Sequence, residues 1–219
     1  MDFIERLRRD AFFECSEIPT DCVLDTHGWC DEKNFIETFD KALSNVENPL
    51  IVEVGTWKGR SACAMASHVK KRGMGGRIVC IDTWLGAPEF WTWGIDDPSR
   101  GGSLNKRRGY PTVYDTFLSN VKLLGHDDVI APFPLSSIQA AKTLDYYGIR
   151  PDVVYVDAAH EEDAVKADLD AFFPLLKNGG TMFGDDYVAW PGVRRAVNAF
   201  VKERRGVSLD VAGEVWALN

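Results

Sequence analysis

Leu50-Ile51-Val52-Glu53-Val54-Gly55-Thr56-Trp57-Lys58-Gly59-Arg60-Ser61 reads as an apolar strand that runs into a glycine-spaced turn and then into a helix. Glycines at 55 and 59 let the backbone turn tightly and approach a ligand, and the helix N-terminus that follows offers unpaired N–H groups. A strand-to-helix turn with no ligand would use the same two glycines, so this stretch speaks to architecture before chemistry. Outward from it, helical stretches alternate with short apolar runs. Ser61 to Lys71 leads to Arg77 to Ile81, Thr112 to Leu124 to Val129 to Phe133, and Ser137 to Leu144 to Val153 to Val156. Ala164 to Leu176 then leads to Thr181 to Phe183. That alternation predicts βαβ units in an α/β fold, a mostly parallel sheet with helices on both faces.

The two ends differ from this middle. Residues 1–48 read as an N-terminal helical cap, with Asp31 as N-cap of an amphipathic helix through Phe35, Ile36, Phe39 and Leu43. Residues 49–219 form the main domain. Its tail is a helix over Val193 to Arg204, then Val207 to Val211 and Val215 to Leu218 flanking Ala212-Gly213-Glu214, which predicts a C-terminal antiparallel strand.

A chain of 219 residues with 45% hydrophobic and 26% charged residues is one ordinary globular domain. Its net charge of −8 argues against a broad footprint for nucleic acid or an anionic membrane. Cys15, Cys22, Cys30, Cys63 and Cys80 are odd in number and lack C-x-x-C spacing, which suggests neither a disulfide framework nor a zinc site. With no long apolar run and no basic-then-apolar leader, the expectation is a cytoplasmic protein.

Trp84 to Gly109 is the one long irregular stretch, with three of the seven tryptophans and the basic cluster Arg100, Lys106, Arg107 and Arg108. Such a loop serves as a lid or substrate loop, with a homo-oligomer contact as the other reading. The basic side chains suit a phosphate or carboxylate on a substrate, and suit a solvated loop equally well. Trp91, Trp93 and Trp190 are candidates to line a ring-binding surface, and Lys166, Asp168 and Asp170 read as one helix's polar face.

Acids stand at the ends of the predicted strands. Asp82 follows Arg77 to Ile81, where a carboxylate can accept both hydroxyls of a ribose. The turn is G-x-x-x-G rather than the dinucleotide G-x-G-x-x-G, and Gly59 is followed by Arg60 rather than the lysine of a phosphate-binding loop. Glu53 would repel a pyrophosphate and favour a cationic group, such as the amino group of S-adenosylmethionine. Asp157 ends Val153 to Val156, with His160 close behind, and Asp185-Asp186 end Thr181 to Gly184. Neighbouring carboxylates repel unless a cation or proton sits between them, so three at adjacent strand ends suit a hard divalent cation; strand-end aspartates also serve as turn caps.

From about Pro49 to Phe200 the chain resembles the Rossmann-like class I S-adenosylmethionine-dependent methyltransferases. Within them it is most similar to the metal-dependent O-methyltransferase branch of macrolide-sugar O-methyltransferases and cephalosporin-hydroxylase-like proteins, with catechol O-methyltransferase more distant. The motifs are residues 53–61, Asp82-Thr83-Trp84, Asp157-Ala158-Ala159-His160, Pro174 to Gly180 and Gly184-Asp185-Asp186-Tyr187. The resemblance implies that Glu53, Gly55, Thr56, Trp57, Gly59 and Ser61 hold the methionine moiety and Asp82, beside Thr83 and Trp84, the ribose. It places Ser136 and Ser137 at the adenine and Asp157 at both cofactor and metal. Asp157, Asp185 and Asp186 would bind Mg²⁺, with His160 as general base. Glu162 and Asp163 depart from the aromatic and Glu that relatives often carry, which touches the substrate side. The implied acceptor is a hydroxyl of a sugar, glycan or small metabolite. Alternatives are a catechol-type phenol, a nucleoside-binding accessory protein without methyl transfer, or a nicotinamide oxidoreductase, the last disfavoured by Glu53 and the loop spacing.

Overall fold

A computed structural model of the protein describes residues 2–12, 23–29, 32–92, 94, 97–98 and 101–219. Asp31, Trp93, Arg100, Cys15, Cys22 and Cys30 lie outside the described residues.

The middle of the chain alternates as its apolar pattern requires. Strands β1 (Leu50–Val54), β2 (Arg77–Ile81), β3 (Ile130–Phe133), β4 (Val153–Val156) and β5 (Thr181–Gly184) are parallel, and β6 (Leu209–Ala212) and β7 (Val215–Leu218) close the sheet antiparallel. The order is β3-β2-β1-β4-β5-β7-β6. The chain therefore reverses its direction of winding between β1 and β4, and ligands of open α/β sheets bind outside the strand C-termini at such a point.

Every residue of β3 and β4 is buried, as a sheet covered on both faces demands. Successive side chains go to opposite sides. Ile51, Ile78, Tyr155 and Phe183 join a core under α2 (Glu32–Ala42), α3 (Arg60–Lys71) and α5 (Val113–Leu123). Val52, Val79, Val154 and Met182 join the other, under α6 (Ser137–Tyr146), α7 (Glu162–Phe172) and α8 (Pro191–Glu203). A short helix, α4 (Pro88–Thr92), lies within the long irregular stretch.

The N-terminal helices are built into these layers. Phe35 and Phe39 of α2 pack against Phe183, and Phe35 meets Tyr155 edge-on at 4.9 Å. In α1 (Phe3–Phe12), Phe3 meets Phe133 of edge strand β3 at 5.4 Å and stacks on Tyr147 at 4.3 Å.

One helix face differs from its expected reading. Lys166 and Asp170 share an exposed face and pair with each other, but Asp168 is 3% exposed. Residues two apart point to opposite sides of a helix, so Asp168 turns inward, where Ser137 hydrogen-bonds it and burial pushes its carboxyl up to about 6. Among the described residues no helix is long and apolar enough to cross a membrane.

Candidate active site

The C-terminal ends of β1, β2, β4 and β5 bring the acids singled out from sequence to one edge of the sheet. Gly55, just past β1, has φ of 88°, and a Cβ there would lie 2.0 Å from the Asp157 carbonyl oxygen. Only a residue without a side chain lets this turn sit against β4.

Asp82 organises the turn from β2. Its carboxylate accepts the N–H groups of Trp57 at 2.8 Å and Trp84 at 2.7 Å, while the Trp84 indole N–H donates to the Trp57 carbonyl at 2.8 Å. Trp57 is thereby held in the left-handed region, φ 51°, with its ring stacked 4.5 Å from Phe90 of α4. Its buried Nε1 has no partner among the described residues. Trp84 faces the core beside Tyr114 and Phe117 rather than the turn's outer side, whereas Thr83 is exposed.

Glu53 is fully buried, and both carboxylate oxygens are taken by hydroxyls, one by Thr56 at 2.7 Å and one by Ser61. Burial pushes its carboxyl up to about 7, although the two hydroxyls oppose the shift. The folded state then holds a proton that the unfolded chain, near 4.5, has released. Its contribution to stability is greatest below pH 4.5 and is lost as pH rises toward 7, by on the order of 1–3 kcal/mol. Asp168 acts in the same direction. The ligand-free protein is expected to lose thermal stability between pH 5 and pH 7, and Glu53→Gln to flatten that slope; scanning calorimetry across this range checks it.

Residues 23–29 are strapped over the same turn. Lys58 is 2% exposed and its ammonium pairs with Asp25 at 2.6 Å. Asn120 donates to the carbonyls of Asp25 and Lys58, and Arg60 to that of Gly28. Ser136 stands just before α6 and its hydroxyl donates to Gln139 at 3.1 Å, so Ser136 and Ser137 sit past β3 at this end of the sheet.

Beyond β4 and β5 the acids crowd. Asp157 accepts the Tyr155 hydroxyl at 3.1 Å, and Asp185 accepts the N–H of Asp186 at 3.0 Å. Burial, then the like charges of Asp186 and Asp185, lift the Asp157 carboxyl well above the usual carboxylate range. Asp186 is held at φ 68°, an uncommon conformation for a non-glycine residue.

His160 stacks on Trp190 at 4.1 Å with ring planes 7° apart. Its Nε2 lies 3.0 Å from Asp186 and its Nδ1 3.0 Å from Glu89 of α4. Burial disfavours the charged ring, but Asp186, Glu89 and Asp157 outweigh it and raise its pKa. With a carboxylate at each nitrogen the ring is arranged as an imidazolium. Glu89 escaped the sequence reading because 71 residues separate it from His160 and nothing in the irregular stretch marks it. Glu89→Gln is expected to cost about tenfold in turnover and Glu89→Ala more, with S-adenosylhomocysteine affinity retained; steady-state kinetics beside calorimetry test this.

Among the described residues no three His, Cys, Asp or Glu side chains converge at the spacing of a ready metal site. The chemistry of Asp157, Asp185 and Asp186 nevertheless fits a hard cation, since all donors are oxygen and their mutual repulsion is what such an ion relieves.

This strand order, with the glycine turn and the strand-end acids beside the switch point, defines a Rossmann-like methyltransferase fold. Residues 52–187 match the family described as a methyltransferase domain, and the chain belongs to that family. It is similar in structure to an O-methyltransferase from Bacillus cereus in complex with SAH, at 15% identity and TM-score 0.60, over 98% of this chain and 89% of that one. A second similar structure is the O-methyltransferase TomG from Streptomyces achromogenes in complex with SAM, at 16% identity and TM-score 0.59, over 100% and 98%. A third is CalS11, a TDP-rhamnose 3'-O-methyltransferase, at 18% identity and TM-score 0.57, over 99% and 92%. No curated protein sequence matches.

Proposed function

We propose that the protein is an S-adenosylmethionine-dependent O-methyltransferase that uses Mg²⁺ and acts on a hydroxyl of a sugar or small metabolite. The observation that carries this reading is the group of acids at one sheet edge, with Asp157 lifted by burial and then by Asp186 and Asp185, and with His160 3.0 Å from Asp186. S-adenosylmethionine, when bound, supplies an electrophilic methyl group. A magnesium ion at Asp157, Asp185 and Asp186 would make an acceptor hydroxyl more acidic and steady a neighbouring oxygen.

The chain's own residues do the rest. The turn from Gly55 to Ser61 would hold the cofactor at a helix N-terminus, and Asp82 would accept its ribose hydroxyls. His160 would take the acceptor proton at Nε2 once Asp186 turns from it to a bound cation and the ring has released that proton, while Glu89 holds Nδ1–H, a role typically worth roughly 10²–10⁴ in rate.

Metal-stripped protein titrated with S-adenosylhomocysteine, then with Mg²⁺, tests the reading. Micromolar cofactor binding and a magnesium heat that is absent from Asp185→Ala are expected. No cofactor binding in either condition would overturn it, and Asp185→Ala with unchanged activity and unchanged EDTA sensitivity would remove the metal. Acceptor panels lacking one of two neighbouring hydroxyls should lose most turnover if the acceptor is a vicinal diol. The engagement of both His160 nitrogens favours one rival, a cofactor-binding accessory protein, which predicts binding without turnover on any acceptor.

A further inference from the structure

Lys106, Arg107 and Arg108 stand together on a small hairpin in a chain whose net charge is −8. Arg107 and Tyr110 exchange backbone hydrogen bonds at 2.8 and 3.0 Å, and the central residues Arg108 and Gly109 are both left-handed, at φ 53° and 82°. Such a turn favours Asn or Asp followed by Gly, so an arginine at 108 is not there for the turn's sake. Asn105, at φ 46°, is clamped by Thr112, whose hydroxyl donates to its carbonyl at 2.7 Å. Buried Leu104 anchors the hairpin's base against Gly86.

Some exposed cations elsewhere in the molecule sit beside acids, as Arg60 does with Glu32 at 2.5 Å, Arg72 with Asp40 at 2.8 Å and Arg77 with Asp2 at 2.9 Å. Others, such as Lys71 and Lys142, stand without one among the described residues, but singly rather than in a cluster of unpaired cations. Lys106, Arg107 and Arg108 are exposed and have no acidic partner among the described residues. Lys106 instead lies 4.6 Å over the ring of Trp91. Trp91 belongs to α4, the helix whose Glu89 holds His160 and whose Phe90 stacks on Trp57. The three cations and the reacting end of the sheet are thus joined by one helix of five residues, about 7.5 Å long.

We infer that this hairpin binds a phosphate or diphosphate carried by the acceptor, so that the substrate is an anionic, phosphorylated hydroxyl compound such as a nucleoside-diphosphate sugar. The inference rests on the methyltransferase reading for the identity of the bound molecule as an acceptor. Two guanidinium groups and an ammonium match the several charges of a diphosphate better than a single carboxylate, because planar guanidinium pairs with phosphate oxygens two at a time. In a molecule of net negative charge, a local basic patch is also what lets an anion approach.

The full chain is titrated calorimetrically with inorganic pyrophosphate, uridine diphosphate and uridine in metal-free buffer, with and without saturating S-adenosylhomocysteine. Pyrophosphate and uridine diphosphate are expected to bind and uridine to bind at least tenfold more weakly, with anion affinity falling as salt rises. Tighter binding of uridine diphosphate than pyrophosphate assigns the group to a nucleotide-linked acceptor, and equal binding to a simple phosphate ester. Lys106→Gln/Arg107→Gln/Arg108→Asn should lose anion binding at least tenfold while S-adenosylhomocysteine affinity stays within twofold. Arg108→Asn alone should weaken the anion with thermal stability unchanged or raised, which a purely structural arginine would not do. Absent anion binding, or binding that the triple variant leaves intact, overturns the inference. Loss of S-adenosylhomocysteine binding in the parent, with hairpin-dependent pyrophosphate binding present, removes the methyltransferase reading and leaves the anion site standing.

Discussion

Gly55→Ala is expected to abolish S-adenosylhomocysteine binding and to destabilise the protein by roughly 2–5 kcal/mol. Two costs combine. The added Cβ meets the Asp157 carbonyl oxygen at 2.0 Å, backbone that cannot turn aside, and at φ 88° any side chain is strained. The collision pushes β1 from β4 at the point where the winding reverses, and with it the turn that Asp82 holds through Trp57. Gly73→Ala is the control, because Gly73 also has positive φ, 68°, but nothing lies within 4 Å of its Cβ. It should cost about 1–2 kcal/mol from strain alone and leave cofactor affinity intact. Urea denaturation beside calorimetry separates the two; comparable losses in both variants would show that the close approach to Asp157 carries no weight.

Asp157→Asn is expected to move activity and stability in opposite directions. Turnover should fall by at least about 100-fold, since an amide can neither hold a cation as a carboxylate does nor balance a charged His160. Thermal stability of the ligand-free protein at pH 7.5 should rise by on the order of 1 kcal/mol. The sign follows from the surroundings. Burial and the charges of Asp186 and Asp185 lift the Asp157 carboxyl well above its usual range, so its ionised form works against folding at neutral pH. A neutral group of the same shape removes that repulsion and keeps an oxygen for the Tyr155 hydroxyl. Functional sites often carry such destabilising charge. A variant that is less stable and fully active would contradict both halves.

The alternation of apolar runs with helical stretches made the sheet and its two covered faces legible, because burial on both sides leaves continuous apolar strands such as Val153–Val156. The acids at strand ends were legible for a related reason, since a charge that abruptly ends an apolar run marks where the chain leaves the core. The contacts that lock the site were not. Glu89 reaches His160 from an irregular stretch with no period, and Lys58 is buried by a strap whose partner, Asp25, lies 33 residues away. Asp168 could have been placed by counting, because its helix neighbours at 166 and 170 lie on the opposite side. The left-handed backbone of Asp186 has only a weak sequence signal, since aspartate enters that region more readily than most residues but at few of its positions.

The far edge of the sheet bears on the order in which the molecule assembles. β7 lies between β5 and β6, and the Trp216 indole N–H donates to the Asp185 carbonyl at 3.0 Å, with its ring against Gly184. The acid pair is therefore fixed by a residue made 31 positions later. Until β7 has docked, the five parallel strands leave β5 as an unpaired, apolar edge open to strand addition by another chain. Trp216→Ala, which removes both the bond to Asp185 and the ring against Gly184, should therefore favour aggregation during refolding, read as light scattering against the parent.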